Sequence, residues 1–157
     1  MKYLLLALIL PALAYAGRVT HYPCTNGYPD GSPSVPNWVE VEGCDESECT
    51  IPHGGTLNLR AAYTPTTSHE NLEFFVRVSL QGIPLPIEQP PGLADACPHI
   101  QGGCPIVAGQ GETISEIDIL VDFPSVPIAV TVLAGVSLRD LDTGETVVCG
   151  AVEVTIA

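Results

Sequence analysis

Apolar and polar residues alternate with a period of two along most of the chain. Across Thr56–Tyr63, Leu57, Leu59, Ala61 and Tyr63 take one side, and Thr56, Asn58, Arg60 and Ala62 the other. Across Leu72–Leu80, Phe74, Val76, Val78 and Leu80 alternate with Glu73, Phe75, Arg77 and Ser79. Residues 113–123 set Ile117, Ile119, Val121 and Phe123 against Glu116, Asp118, Leu120 and Asp122. Residues 128–138 bring Val130, Val132, Ala134, Val136 and Leu138 to one face, and residues 147–156 do the same with Val148, Val152, Val154 and Ile156. This period, rich in β-branched residues, predicts half-buried strands. Shorter runs at 18–22 and 38–43, the latter with Val39 and Val41 inward, bring the expected total to about seven.

Turn signals separate the runs: Asn26-Gly27, Pro29-Asp30-Gly31, Gly54-Gly55, Gly102-Gly103 and Asp142-Thr143-Gly144. No amphipathic helix of useful length interrupts them, and no repeat or low-complexity linker divides the chain. The expected fold is therefore all-β: one domain, an immunoglobulin-like antiparallel sandwich of two sheets. Two stretches are irregular. Residues 22–36 are rich in Pro, Gly and Ser. Residues 83–105 carry Pro84, Pro86, Pro90, Pro91, Pro98 and Pro105, a density that excludes a central strand and predicts an ordered loop.

Composition narrows the function classes. The 157 residues hold five Lys or Arg against 18 Asp or Glu, a formal net charge of −13, and 46% of them are hydrophobic. That apolar fraction supplies a core. The charge argues against nucleic-acid binding, which needs cations to neutralise phosphate, and against a standing attraction to anionic lipid. The only lysine, Lys2, precedes an apolar run through Leu4, Leu5, Leu6, Leu8, Ile9 and Leu10, followed by Ala14-Tyr15-Ala16. This is the pattern of a secretory signal peptide over residues 1–16, and the run is shorter than the ~20 residues of a spanning helix. The mature chain is expected to be 17–157, extracellular and monomeric.

Secretion sets the reading of the six cysteines, an even number in an oxidising compartment. Cys44 and Cys49 enclose four residues, and Cys97 and Cys104 flank a loop with Pro98, Gly102 and Gly103. Two local clips leave Cys24 for Cys149, a bridge between the two ends of the mature chain. Zinc is disfavoured, because Cys44, Cys49 and His53, or Cys97, His99 and Cys104, do not have finger spacing.

Catalytic chemistry is hard to find. His53-Gly54-Gly55 has the start of a lipase-type oxyanion loop, but no G-x-S-x-G elbow follows, and no H-E-x-x-H is present. Glu73, Glu116, Asp118 and Asp122 read as a solvated face rather than a glycosidase pair. His21, His53, His69 and His99 fall on loops or strand ends and read as surface histidines. The chain is not expected to be an enzyme, nor to use a metal or cofactor.

Several segments in order carry a resemblance. Cys44 and Cys49 are followed by Ile51, Gly54 and an alternating strand to Tyr63. Then come Gly82-Ile83-Pro84-Leu85-Pro86-Ile87, Cys104-Pro105-Ile106 with Gly109, and Val147-Val148-Cys149 before the last strand. Over 17–157 the chain resembles the ML lipid-recognition domain, especially its Niemann–Pick type C2 branch, the family that also holds the group 2 mite allergens. The resemblance implies small secreted β-sandwiches that carry a lipid between their sheets and are not enzymes. It also implies cysteines paired first to last, second to third and fourth to fifth, in agreement with the spacing.

On this basis the expected function is a secreted carrier of a sterol, fatty acid or similar apolar molecule. The alternatives are a lipid-sensing co-receptor or innate-immune recognition protein of the same fold, with Ile83, Leu85 and Ile87 as its apolar patch, and, behind it, a secreted hydrolase. A receptor or a membrane acceptor would be the macromolecular partner. Inward residues of modest size, among them Val130, Ala134, Val148 and Gly150, either bring two sheets together or leave a void that an apolar ligand fills. The candidate lining is Leu59, Tyr63, Val76, Val78, Leu80, Ile119, Val121, Val132, Val136 and Val152. Ile87, Phe123 and Val126 join it as the mouth that the resemblance implies. The chain departs from the family at Ile87, where sterol carriers have Phe, and at Gly150 and Val136, where Trp is common, so a wider or differently shaped pocket is expected. No N-x-[ST] sequon occurs at Asn26, Asn37, Asn58 or Asn71, which favours an extracellular fluid over the lysosome.

Overall fold

A computed structural model describes residues 16–24, 34–122 and 128–157. The predicted signal peptide therefore lies outside the described residues, apart from Ala16. Among these residues ten strands follow one another: β1 (Ala16–Arg18), β2 (His21–Pro23), β3 (Trp38–Glu42), β4 (Thr50–Ile51), β5 (Thr56–Tyr63), β6 (Leu72–Leu80), β7 (Ile83–Leu85), β8 (Thr113–Leu120), β9 (Val130–Asp140) and β10 (Thr146–Ile156). Among the described residues the only helical elements are two 3₁₀ turns, Pro91–Leu93 and Cys97–His99, and no helix is long and apolar enough to cross a membrane.

The strands form two sheets, ordered β1-β3-β5-β8 and β2-β10-β9-β6-β7. Pairing is antiparallel throughout except for the two-residue β4, which runs parallel to β10 at Thr155 and Ile156. The alternation turns one face of each sheet inward. Val39, Val41, Leu57, Leu59, Ile117 and Ile119 are buried from the first sheet, and Phe74, Val76, Val78, Val132, Leu138, Val152 and Val154 from the second. The expected sandwich is the fold found.

The differences from the expected seven strands have local causes. The run 18–22 is not one strand: the chain crosses between sheets at Val19-Thr20, so β1 pairs with β3 and β2 with β10. Residues 83–105 are not all loop. Gln81 and Gly82 both have positive φ, 52° and 81°, the backbone of a two-residue I′ hairpin turn, and β7 returns along β6 with Leu85 opposite Val78. Pro84 is tolerated because β7 is the sheet's last strand. The strand expected over 113–123 ends at Leu120, and Val121 instead exchanges hydrogen bonds with the Gly54-Gly55 turn.

The three disulfides are Cys24–Cys149, Cys44–Cys49 and Cys97–Cys104. The outer face of the first sheet carries a ladder of opposite charges. Arg18 stands opposite Glu40, Glu40 opposite Arg60, and Arg60 opposite Glu116, with the closest contact 3.2 Å from Arg60 to Glu40. Arg139 pairs with Glu73 in the same way on the second sheet. The acidic outward positions are thus a solvated and partly paired face.

Candidate ligand-binding site

Between the sheets lies a cavity of about 330 Å³. Its walls are apolar: Leu57, Ile119 and Val121 from the first sheet and its extension, and Val76, Val78, Val132, Ala134, Val154 and Ile156 from the second. Period-two alternation aims all of these side chains at each other. Pro86, Ile87, Glu88, Pro90, Leu120 and Asp122 form the mouth. The volume sits at the lower end of the ~300–1,000 Å³ of small-molecule sites.

The segment beside the mouth is held by a side chain. The Val76 N–H donates to Gln89 Oε1 and Gln89 Nε2 donates to the Val76 carbonyl, each at 2.8 Å. Gln89 thus continues the edge pairing of β6 where β7 has ended. Further along the same edge, the Ala96 N–H reaches the Leu72 carbonyl. Ile100 then bridges to Ser115 of β8. Residues 83–106 therefore close the side of the sandwich between β6 and β8.

Of the candidate lining, Val76, Val78, Ile87, Ile119, Val121 and Val132 come together in this cavity. Leu59, Tyr63, Val136 and Val152 do not reach it. They meet at the other end of the interior, where Pro36, Phe74, Leu138 and Val148 leave only about 30 Å³. Leu80 lines neither space: it is half-buried at the β6–β7 hairpin, opposite Ile83. Phe123 and Val126 lie outside the described residues. The wider pocket expected at Gly150 is not found there. A Cβ on Gly150 would sit 2.8 Å from Pro36 Cγ, so the proline ring fills that place. Leu57, Ala134, Val154 and Ile156 belong to the lining and were missing from the candidate set, although the alternation already turned them inward.

Two polar side chains, Tyr63 and Ser115, face the small void at the packed end. Burial pushes the Tyr63 phenol above its usual pKa, against a hydrogen bond that Ser115 Oγ donates to it at 3.4 Å. His69 is buried, not a surface histidine. Its Nδ1 faces Asp140 Oδ2 and its Nε2 meets Thr67 Oγ1 at 2.6 Å. The hydrogen bond from His69, followed by one from the Thr143 N–H, holds the Asp140 carboxyl below the usual range, against the effect of burial. His53 is half-buried as well, and both its ring nitrogens are enclosed without a hydrogen-bond partner among the described residues. The expected apolar patch is also broken up. Ile83 is 67% exposed, but Leu85 and Ile87 pack half-buried against the core.

The family model described as ML domain matches residues 18–156. Comparison with curated proteins returns no match. Among solved structures, the fold is similar to that of a Niemann-Pick type C2 protein from Japanese carpenter ant. The TM-score is 0.64 and the identity 17%, over 88% of this chain and 99% of that one.

Proposed function

We propose that this chain, which belongs to the ML domain family, is a secreted carrier that takes up a sterol, fatty acid or similar apolar molecule between its two sheets. The observation that carries this reading is the mouthed apolar cavity of about 330 Å³, whose walls present no polar side chain below the rim. Such a site binds by burial. At roughly 25 cal/mol per Å² of apolar surface, a ligand of sterol or acyl-chain size reaches submicromolar affinity without an ion pair. Three disulfides and no free cysteine among the described residues support an oxidising, extracellular or lumenal setting. Residues 1–16 act in this reading as the removed leader, and the carrier works as a monomer that hands its ligand to a membrane or receptor. The sensor alternative is less well supported, since of Ile83, Leu85 and Ile87 only the first is exposed.

Native mass spectrometry of the secreted protein, before and after organic extraction, tests the reading. A non-covalent adduct of lipid mass that extraction removes is expected, with uptake of a fluorescent sterol or fatty acid by the stripped protein. Absence of both adduct and uptake would overturn it.

A further inference from the structure

We propose that the cavity selects amphiphiles whose head group donates hydrogen bonds and carries no negative charge, an amine or an alcohol, and disfavours the carboxylate of a fatty acid. The inference rests on the reading of the cavity as a lipid site and names the head group that site prefers.

Among the described residues, the only ionisable ones lining the cavity are Glu88 and Asp122, both at the mouth and both exposed. They stand on opposite lips. Glu88 precedes Gln89, whose side chain is fixed to Val76 of β6. Asp122 follows Val121, whose N–H and carbonyl are bonded to Gly55 and Gly54. Each carboxylate therefore hangs from a pinned stretch of backbone. Among the described residues neither has an ion-pair or hydrogen-bond partner, whereas Glu40, Glu73 and Glu116 are engaged by arginine.

Among the described residues no lysine or arginine lines the cavity to balance them. Beyond residue 16 the chain has four basic residues besides histidine, Arg18, Arg60, Arg77 and Arg139. None of them lines the cavity. Arg18 and Arg60 lie with Glu40 and Trp38 on the outer face of the first sheet. Arg77 and Arg139 flank Phe75 on the second. The five residues after Asp122 are Phe-Pro-Ser-Val-Pro and carry no charge.

An apolar tail buried in the cavity leaves its head between the two lips. A carboxylate there becomes a third negative charge where no described lining residue is cationic, in a chain of net charge −13. An ammonium head makes charge-assisted hydrogen bonds to either acid, and a hydroxyl donates one without repulsion. Specificity arises as much from the rejected head as from the preferred one.

The test holds the tail constant. Dodecylamine, dodecanol and dodecanoate compete for the stripped protein against N-phenyl-1-naphthylamine at pH 7 and low salt. The amine is expected to displace the dye at about tenfold lower concentration than the carboxylate, from two solvent-facing contacts of up to ~1 kcal/mol each, with the alcohol between them. High salt should narrow the gap. The double variant Glu88→Gln, Asp122→Asn should bring amine and carboxylate within about twofold, with an unchanged thermal melt as the control for folding. Dodecanoate binding as tightly as the amine, or a preference that survives the double variant, would overturn the inference while leaving the lipid cavity standing. Failure of all three tails to displace the dye would instead remove the cavity reading and the head-group inference with it.

Discussion

The two ends of the sandwich interior are built from the same alternating strands and end in opposite states. Towards Val78, Val132 and Ile156 the sheets enclose about 330 Å³. Towards Phe74, Tyr63 and Leu138 they enclose about 30 Å³. Strand pattern does not distinguish them, because valine and isoleucine face inward along both. What differs is what enters from outside the strands. Pro36 is wedged against Gly150, and Leu93, Ala96, Ile100 and Ile106 of the proline-rich crossing are all buried in the core. Among the described residues nothing comparable fills the end near β7, where Pro86, Ile87 and Pro90 skirt the mouth. A sandwich thus keeps a cavity where its described loops do not enter.

The sharpest way to break this contrast is to change volume at each end. Phe74→Ala at the packed end should cost about 3–5 kcal/mol, the transfer term plus a new void, and denaturant titration checks it. Val132→Trp at the open end should abolish uptake of a fluorescent sterol and leave stability within about 1 kcal/mol, because the ring enters existing space. Gly150→Val should lose about 1–3 kcal/mol from overpacking against Pro36. If Val132→Trp destabilises the ligand-free protein as Gly150→Val does, the two ends are alike and the cavity is not real space.

A smaller effect separates the ends by pH. Asp140 lies opposite Leu72 at the packed end, and its folded-state pKa is held below the ordinary 3.8. A depressed carboxyl stabilises the fold above its unfolded pKa, and that contribution is lost as pH falls through the folded value. Asp140→Asn should therefore be less stable than wild type by about 1–3 kcal/mol at pH 7, and thermal melts of the two should converge below the ordinary aspartate range. A gap that stays constant down to pH 2.5 would show that the carboxylate does not hold this end together.

The smallest expected change is at the mouth. Gln89→Ala removes both partners of Val76 at a solvent-facing edge, so about 1 kcal/mol of stability should go. Ligand should leave several-fold faster with little change in equilibrium affinity. Stopped-flow dissociation of a fluorescent ligand measures this, and an unaltered off-rate would mean that the Gln89 clasp does not guard the entrance.

Much of this was legible in the chain. β5 and β6 begin and end where their alternation does, and β3, β9 and β10 lie within two residues of it, because one buried face constrains every second residue. The disulfide pairing followed from two short spacings. Other features were not legible, for physical reasons. Alternation states which side chains point inward but not how far apart two sheets stand, so Leu59 and Val76 looked equivalent. β7 was hidden because a proline excludes a central strand but not an edge. His69 follows Thr64-Pro65-Thr66-Thr67-Ser68, a polar stretch that reads as exposed, and its burial depends on Asp140, 71 residues away.

The Cys24–Cys149 bridge has a mechanical consequence. With its two cysteines 125 positions apart, the bridge makes the body of the sandwich a covalent ring with two short tails, β1 and β2 on one side and the C-terminal half of β10 on the other. Tension applied across the chain ends runs through the sulfur–sulfur bond and bypasses β3 to β9. It can peel the tails but cannot extend the ring. The tail after Cys149 carries Val154 and Ile156 of the cavity wall, so the first thing such a pull opens is the cavity. Reduction would add roughly 400 Å of extensible chain. Under load the oxidised protein opens its cavity while most of its fold stays shielded.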